Sequence, residues 1–161
     1  MQIKMKPASK PQSENINKNR KASFEYAFLE KYVAGIQLTG PEIKSIRDKQ
    51  TNISDAYCIF LDHELWVKNL HISNYTEASY NNLDPKRDRK LLLTKKELHK
   101  LSEKLKDKGL AIIPTRLFIS ESGYAKLEIA LAKGKKIYDK REDIKGKDAK
   151  RNIDRAMKNK R

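Results

Sequence analysis

Residues with reactive side chains are few in this sequence, and their spacing assembles no catalytic or metal-binding group. Its three histidines are far apart, and none stands at a metal-ligand spacing from another histidine or from a cysteine: His63, His71 and His99. The single cysteine, Cys58, lies in an apolar segment, where a buried and unreactive thiol is expected. The six glycines are scattered and form no phosphate-binding loop. We therefore predict that the protein is not an enzyme and uses no metal or cofactor.

The distribution of positive charge is the sequence feature that says most about the binding partner. The 161 residues include 36 Lys and Arg against 21 Asp and Glu, which gives a net charge of +15. The net charge is +5 for residues 1–22, +2 for residues 23–132 and +8 for residues 133–161. Because the excess lies at the two ends, it favours arms that neutralise nucleic-acid phosphates over contact with an acidic membrane surface or a merely solvated tail.

The basic C-terminal segment also carries groups that could stack on bases or form a helix. Tyr138 stands among basic residues in KGKKIYDKR (133–141), as is typical of an RNA-contacting segment. Further on, four small or apolar residues share one helical face: Ala149, Ile153, Ala156 and Met157. Such a helix is too polar to fold alone, so we expect residues 133–161 to be disordered in the free protein and to fold against RNA. A frayed basic tail is the alternative.

Four residues in the central part have competing structural and functional explanations. Glu42 could act as an acid or base, but it follows Thr39 by three residues, which is the spacing of a capping box. Trp66 could stack on a base, although packing within a hairpin explains it equally well. Lys126 alternates with apolar neighbours and is expected on the solvent face of a strand, as a plain surface residue. Leu92, within the run 91–93, is expected in the core by default.

A short helix between two strands is predicted to organise these residues. Residues 35–57 comprise the end of an apolar strand, a helix of about residues 41–48 capped by Thr39 and Glu42, and a second strand. A helix this short is not stable in isolation, so it must pack on the strands around it. This pattern indicates a small barrel or sheet with a helix closing one end.

The other elements are predicted in chain order: a disordered arm (1–18), one or two strands (23–38), a hairpin (56–61 and 64–70), a loop (73–89), a second helix capped by Thr94 and Glu97 and ending at Gly109, and two strands (110–120 and 124–132). Together they predict a mainly β fold with short helices. The expected architecture is an OB-like closed antiparallel barrel of about six strands with two or three helices, spanning residues 19–132.

The sequence gives no indication of membrane insertion or secretion. No apolar run approaches the roughly 18 residues that a membrane helix needs. The N-terminal segment is polar and lacks the apolar region of a signal peptide. One cysteine excludes an internal disulfide. We therefore expect a cytoplasmic protein without a membrane partner.

Four stretches occur together in a specific order: EIKSIR (42–47), NISDAY (52–57), RKLLL (89–93) and AKGKK followed by DKR (132–141). Over about residues 19–161 the chain thereby resembles the SsrA-binding protein family, also called small protein B (SmpB). The resemblance implies a protein that binds the tRNA-like domain of transfer-messenger RNA (tmRNA) and delivers it to stalled ribosomes for trans-translation. It implies no chemistry by the protein itself.

The resemblance also implies how the work is divided between barrel and tail. The barrel would bind the tRNA-like domain near its elbow. The tail would enter the small-subunit decoding centre and the empty mRNA path and become helical there. The implied partners are tmRNA, small-subunit rRNA of the ribosome and, indirectly through alanyl-tmRNA, elongation factor Tu.

Three groups of residues receive roles from the resemblance. Contact with tmRNA is implied for an entry segment and two later positions: Asn19, Arg20, Lys21, Leu92 and Lys126. A place at the decoding centre is implied for the start of the tail: Lys133, Gly134, Lys135, Lys136, Tyr138, Asp139, Lys140 and Arg141. A distal tail helix is implied for the last group: Ile153, Met157 and Lys158.

The chain departs from the family pattern at a few positions. Val33 stands where relatives often carry an acid before the Ala-Gly pair, so the contact of that acid must be absent or replaced. Ala149 stands where relatives often have tryptophan, and Tyr138 where some have histidine. Two other functions stay open at this point: an accessory tRNA- or rRNA-binding protein with an OB fold and, more distantly, an RNA-processing enzyme.

Overall fold

The computed structural model describes residues 14–76 and 83–159. These residues form nine strands: β1 (Glu14–Lys18), β2 (Tyr26–Ile36), β3 (Thr51–Asn52), β4 (Tyr57–Leu61), β5 (Glu64–Lys68), β6 (His71–Ile72), β7 (Arg89–Leu92), β8 (Leu110–Ile119) and β9 (Ala125–Gly134). The same residues form four helices: α1 (Arg20–Glu25), α2 (Gly40–Arg47), α3 (Lys95–Leu105) and α4 (Ile137–Lys158). Residues 1–13 of the predicted arm and 77–82 of the predicted loop lie outside the described residues.

Six strands close into an antiparallel ring in the order β8-β4-β5-β7-β2-β9, with β9 pairing back onto β8. β1 pairs with β8 outside the ring, and β3 and β6 form a separate two-stranded sheet. Two of the three long strands, β2 and β8, each contain an irregularity of register, near Phe28 and Pro114 respectively, and such irregularities bend a strand. The predicted mainly β fold with a closed antiparallel arrangement of about six strands is confirmed.

Side chains alternate between the inside and the outside of the ring. Leu127 and Ile129 of β9 are fully buried inside it. The same holds for Leu65 and Val67 of β5, while Trp66 between them faces outwards and is only partly buried. This alternation separates a dry core from an outer face whose side chains can meet a partner.

The helices complete the core from different sides. α2 and α3 begin with the predicted capping boxes, and each contributes one fully buried side chain to the ring interior, Ile46 and Leu101. α1 packs on the outside of β8 and β9, where Ala22 meets Ile113 and Ala132 in a small second cluster. Part of the outer face is thus covered by α1, and the rest stays open.

The N-terminal part differs from its prediction. Glu14–Lys18 form β1, paired with β8, where the sequence predicted disorder up to residue 18. Residues 23–25 belong to α1 rather than to a strand, because the Asn19 side chain accepts from the Ala22 backbone N–H and caps a helix there. With α1 and α4 the described residues contain four helices, more than the two or three predicted.

The ends of two other elements also differ from prediction. α3 ends at Leu105 with Lys106 as its C-cap, and Gly109 lies three residues further on in a separate turn with a φ of +83°. β9 continues to Gly134, because its ladder with β2 extends through the pair Tyr26 and Gly134. The predicted strand end at residue 132 was two residues too early.

The tail was predicted to be disordered in the free protein, whereas the structure contains α4 over residues 137–158. The helix begins twelve residues before Ala149, the first residue of the helical face predicted from the sequence. Its start is held by contacts that the sequence did not reveal. Lys135 forms an ion pair with Asp143, and the Lys147 ammonium lies 5.5 Å from the centre of the Phe24 ring of α1. Most of the helix is nevertheless exposed.

One carboxylate joins α2 to the segment that leads into β7. Glu42 accepts from the Thr39 backbone N–H at 3.0 Å, from Arg87 Nη2 at 2.6 Å, and from Arg89 Nε and Nη2 at 2.9 and 2.7 Å. Arg89 is fully buried, and its Nη1 also donates to the Leu70 carbonyl at 2.6 Å. The structural explanation of Glu42 as a capping residue is confirmed, and its role extends to neutralising two arginines.

We expect Glu42→Ala to lower the free energy of unfolding by about 3–5 kcal/mol, because it leaves the buried Arg89 guanidinium without its counter-charge. The measurement is urea unfolding followed by circular dichroism. Glu103→Ala is the matched control: its ion pair with Lys106 is exposed, so this variant should unfold at nearly the wild-type urea concentration. Equal midpoints for both variants would contradict a structural role for the Glu42 cluster.

The same cluster should make the protein sensitive to acid. Burial alone would raise the pKa of Glu42, but hydrogen bonds from Arg87, Arg89 and the Thr39 backbone outweigh it and hold the pKa below 4.5. The stabilising contribution is therefore present above about pH 4.5 and is lost as pH falls through the folded-state pKa. Glu42→Gln should lose less stability than the wild type as the pH falls below about 4.5. Parallel curves for the two proteins would show that Glu42 is not the titrating group.

Candidate nucleic-acid interface

Three strands bring Leu92, Gly35 and Lys126 side by side on the outer face of the ring. Gly35 of β2 lies opposite Leu92 of β7 on one side and opposite Lys126 of β9 on the other. A Cβ atom added to Gly35 would lie 3.3 Å from Leu92 Cβ, so the glycine leaves room for the leucine to lean across β2. The two later positions that the resemblance implied for tmRNA contact are therefore neighbours of one glycine.

Leu92 is exposed, which corrects the default expectation that it lies in the core. Leu91 is 1% exposed and belongs to the core, whereas Leu92 is 53% exposed. Leu93 packs partly against the core. Neighbouring residues of a strand point to opposite faces, so only one face of the leucine run can be buried. The structure thus presents an apolar side chain beside Lys126.

Lys126 faces outwards, as predicted, while its neighbour Leu127 is buried inside the ring. Phe118 of β8 lies opposite Lys126 on the same outer face. The guanidinium carbon of Arg116, two residues earlier on β8, lies 4.5 Å from the centre of the Phe118 ring. A cation held over an aromatic ring therefore stands next to the lysine.

An acid, Glu128, lies among the basic residues of this face. Its carboxylate accepts from Thr115 Oγ1 at 2.9 Å and lies 3.2 Å from both Lys31 Nζ and Arg116 Nη2. Burial alone would raise the pKa of Glu128, but the Thr115 hydrogen bond and the two cations outweigh it and lower the pKa. Glu128 stays ionised near neutral pH and holds two basic side chains in place.

The structure contradicts direct RNA contact by the Asn19 side chain. Asn19 is 2% exposed. Its Nδ2 donates to the Ile53 carbonyl at 3.2 Å and to the Pro114 carbonyl at 2.9 Å, and its Oδ1 accepts from the Ala22 backbone N–H at 2.9 Å. All of its polar atoms are used within the protein, so Asn19 anchors α1 to the ring.

The two basic residues that follow Asn19 are accessible. Arg20 and Lys21 form the first turn of α1 and are exposed. Lys21 Nζ lies 3.0 Å from Asp55 Oδ1, in a pair that is itself exposed. Such pairs are weak in water, so a phosphate could compete for the lysine. A helix turn rather than an extended arm presents these charges.

The predicted tail residues are divided between the end of β9, a two-residue connection and α4. Lys133 and Gly134 end β9, and Lys135 and Lys136 connect it to the helix. α4 contains the others: Tyr138, Asp139, Lys140, Arg141, Ile153, Met157 and Lys158. The Lys135 backbone N–H donates to the Glu25 carbonyl at 2.9 Å, which ties the connection to the end of α1.

The distal half of α4 presents uncovered apolar side chains. Ile153 is 55% exposed and Met157 is 67% exposed. They lie four residues apart, so they share a face of the helix, as the sequence predicted. Lys158 is exposed beside them. The face of Ile153 and Met157 offers apolar area to a partner, and Lys158, about 100° further round the helix than Met157, adds positive charge beside it.

Among the described residues, the remaining candidates from the sequence do not come together in a catalytic or metal-binding group. Burial raises the pKa of the Cys58 thiol, which is consistent with an inert residue. Across residues 14–76 and 83–159, no three His, Cys, Asp or Glu side chains lie close enough to hold a metal ion. Over the same ranges, no helix has both the length and the apolar character of a membrane span.

Comparison with known proteins decides which family this surface belongs to. The family model described as SmpB protein matches residues 16–159. The chain belongs to the SmpB family. It is 61% identical to the SsrA-binding protein of Cytophaga hutchinsonii over 142 residues, covering 88% of this chain and 93% of the relative. It is 58% identical to the SsrA-binding protein of Phocaeicola vulgatus, covering 92% and 99% of the two chains.

A solved structure agrees with this family assignment. One chain of the structure described as "tmRNA-SmpB: a journey to the center of the bacterial ribosome" superposes with a TM-score of 0.64. It is 45% identical in sequence, and the match covers 75% of this chain and 85% of that chain. The resemblance drawn from the sequence motifs is therefore confirmed at the level of the SmpB family.

The departures from the SmpB pattern can now be located. Val33 is 47% exposed on the outer face and lies directly opposite Glu128 in the pairing of β2 with β9. Relatives often carry an acid at the position of Val33. In this chain Glu128 supplies a carboxylate from the neighbouring strand β9. Ala149 lies exposed on α4, and Tyr138 lies in its first turn.

Sequence reasoning missed four side chains around this row: Lys31, Arg116, Phe118, which is only 7% exposed, and Glu128. For Glu128 a signal existed, because it stands two residues from Lys126 on a strand and must share its face. For Arg116 and Phe118 no local signal existed. Their place next to Lys126 depends on how β8 pairs with β9 after the irregularity near Pro114.

We expect Leu91→Ala and Leu92→Ala to differ sharply in stability although the residues are neighbours of the same type. Leu91→Ala removes a fully buried side chain and should cost about 2–5 kcal/mol. Leu92→Ala should cost clearly less, since half of that side chain is already in water. Thermal unfolding of both variants measures the difference. Equal losses would show that Leu92 is a core residue after all.

Proposed function

We propose that this chain binds the tRNA-like domain of tmRNA through the outer face of the ring and delivers it to stalled ribosomes for trans-translation. The observation that supports the binding step most directly is the row Leu92, Gly35 and Lys126. It places an apolar side chain, an open strand surface and a cation together. Folded RNA with exposed bases and closely spaced phosphates is recognised by such combinations.

The tail has a separate part in this proposal. α4 is 22 residues long, which corresponds to about 33 Å of helix. We propose that its first turn and the preceding Lys133 to Lys136 occupy the small-subunit decoding centre. The distal face with Ile153 and Met157 follows the empty mRNA path, where rRNA phosphates neutralise the basic side chains.

The proposal gives the protein a binding role without a chemical step. Its SsrA-binding relatives are named for binding, and the acid described on the outer face, Glu128, is already paired with Lys31 and Arg116. In this role the protein acts on ribosomes and is therefore cytoplasmic. Elongation factor Tu enters only indirectly, because it carries the alanylated tmRNA.

Lys126→Ala should weaken binding of a transcript of the tRNA-like domain and lower the slope of log K against log salt by about 0.7–0.9, the value for one lost phosphate contact. Leu92→Ala should weaken binding by more than its loss of stability explains. Fluorescence anisotropy at several salt concentrations measures both. Lys106→Ala, which changes the exposed C-cap residue of α3, is the control that should bind as the wild type. Unchanged binding by the Lys126 and Leu92 variants would remove this row from the interface.

A protein that ends at Lys136 should bind the transcript normally but fail to support peptide tagging. The cut leaves every strand of the ring intact and removes only α4. The assay is a reconstituted translation reaction on a message without a stop codon. A milder variant, with Asp139, Lys140 and Arg141 each changed to Ala, should show the same separation of binding from tagging. Full tagging by the shortened protein would leave only an accessory tRNA- or rRNA-binding role.

A further inference from the structure

A shallow groove lies next to the Leu92–Lys126 row, between α1 and the outer face of β8 and β9. Its charged lining consists of three cations and one acid: Lys18, Lys31, Arg116 and Glu128. Phe28 and the start of α1 form the other wall. These four side chains give the groove a net charge of about +2, which favours the binding of an anion. The aromatic wall limits the access of water to one side of the groove.

Arg116 is fixed in this groove before any ligand arrives. Its guanidinium lies over the Phe118 ring, its Nη1 donates to Asn15 Oδ1 at 2.9 Å, and its Nη2 lies 3.2 Å from Glu128 Oε2. A guanidinium has five N–H donors, so these two contacts leave donors unused. Among the described residues, the buried Nε has no hydrogen-bond partner. An arginine held in this way loses little freedom when it binds a phosphate.

The groove is continuous with the proposed RNA surface. Arg116 lies opposite Glu128, and Lys126 stands two residues from Glu128 on β9. Arg116 and Lys126 are therefore diagonal neighbours, with backbones about 7–8 Å apart. One run of RNA backbone that meets Lys126 can reach Arg116 as well. Lys18 of β1 lies opposite Arg116 on its other side, which extends the row of cations beyond the ring.

We propose that this groove binds one phosphate of the RNA backbone, with Arg116 and Lys18 as its ligands and Glu128 as a positioning residue for Arg116 and Lys31. The proposal rests on the proposed function and extends the RNA surface from β9 across β8 to β1. Arginine suits this place because its planar fork can donate two parallel hydrogen bonds to a phosphate, whereas a lysine offers a point charge.

The test is anisotropy of a fluorescent transcript of the tRNA-like domain of tmRNA at several salt concentrations. Arg116→Ala should lower affinity about tenfold and the log–log salt slope by about 0.7–0.9. Lys18→Ala should lower the slope by a similar amount. Arg116→Lys should keep the wild-type slope, because the charge remains, but should bind more weakly than the wild type because the fork is lost. Lys106→Ala is the control, with the same change of charge at the C-cap of α3.

The outcomes separate this proposal from the function on which it rests. If the wild type binds and the Arg116→Ala and Lys18→Ala variants match it in affinity and slope, the groove is not a phosphate site, while the proposed function stands. Loss of affinity by Arg116→Ala at an unchanged slope would also overturn the phosphate contact. If the wild type fails to bind the transcript, both proposals fall. If Arg116→Ala does not fold by circular dichroism, the exposed Lys18 decides the question alone.

Discussion

The outer face depends on the charged contact between Glu42 and Arg89. This contact ties the first turn of α2 to the first residue of β7, and Leu70 accepts a further hydrogen bond from the same arginine. A buried guanidinium must keep its partners, since an uncompensated charge in the interior is very costly. The Arg89 side chain must therefore point towards the interior. Because side chains alternate along a strand, Leu91 must then also point inwards, while Lys90 and Leu92 face the solvent.

The spacing of residues that lie close together in the sequence predicted those parts of the fold that depend only on such residues. The capping boxes of α2 and α3 were visible as residues three apart, and the alternation Leu65, Trp66, Val67 was visible as a hairpin strand. α1 was missed because its cap is held from far away: the Asn19 amide bonds to carbonyls 34 and 95 residues further along the chain. No pattern within a short window contains that information.

The candidate interface likewise contains some residues that the sequence predicted and others that it did not. The family motifs named Leu92 and Lys126, yet three consecutive leucines do not reveal which one faces outwards. That choice follows from the register fixed by Arg89. The burial of Asn19 was not predicted for a related reason, since a polar residue in a basic segment can equally well satisfy buried carbonyls. Arg116 and Glu128 meet only through the pairing of β8 with β9, which is a property of the closed ring rather than of either strand.

The short connection between β9 and α4 has a mechanical consequence. Only Lys135 and Lys136 separate the strand from the helix, and the Lys135 backbone is itself bonded to Glu25. The start of the helix is therefore held in a fixed position relative to the ring. A tilt of the ring by about 10° would displace the far end of a 33 Å helix by about 6 Å. Substitutions on the outer face that change how the ring sits on its RNA should consequently misplace the tip of the tail, even though they lie far from it in sequence and space.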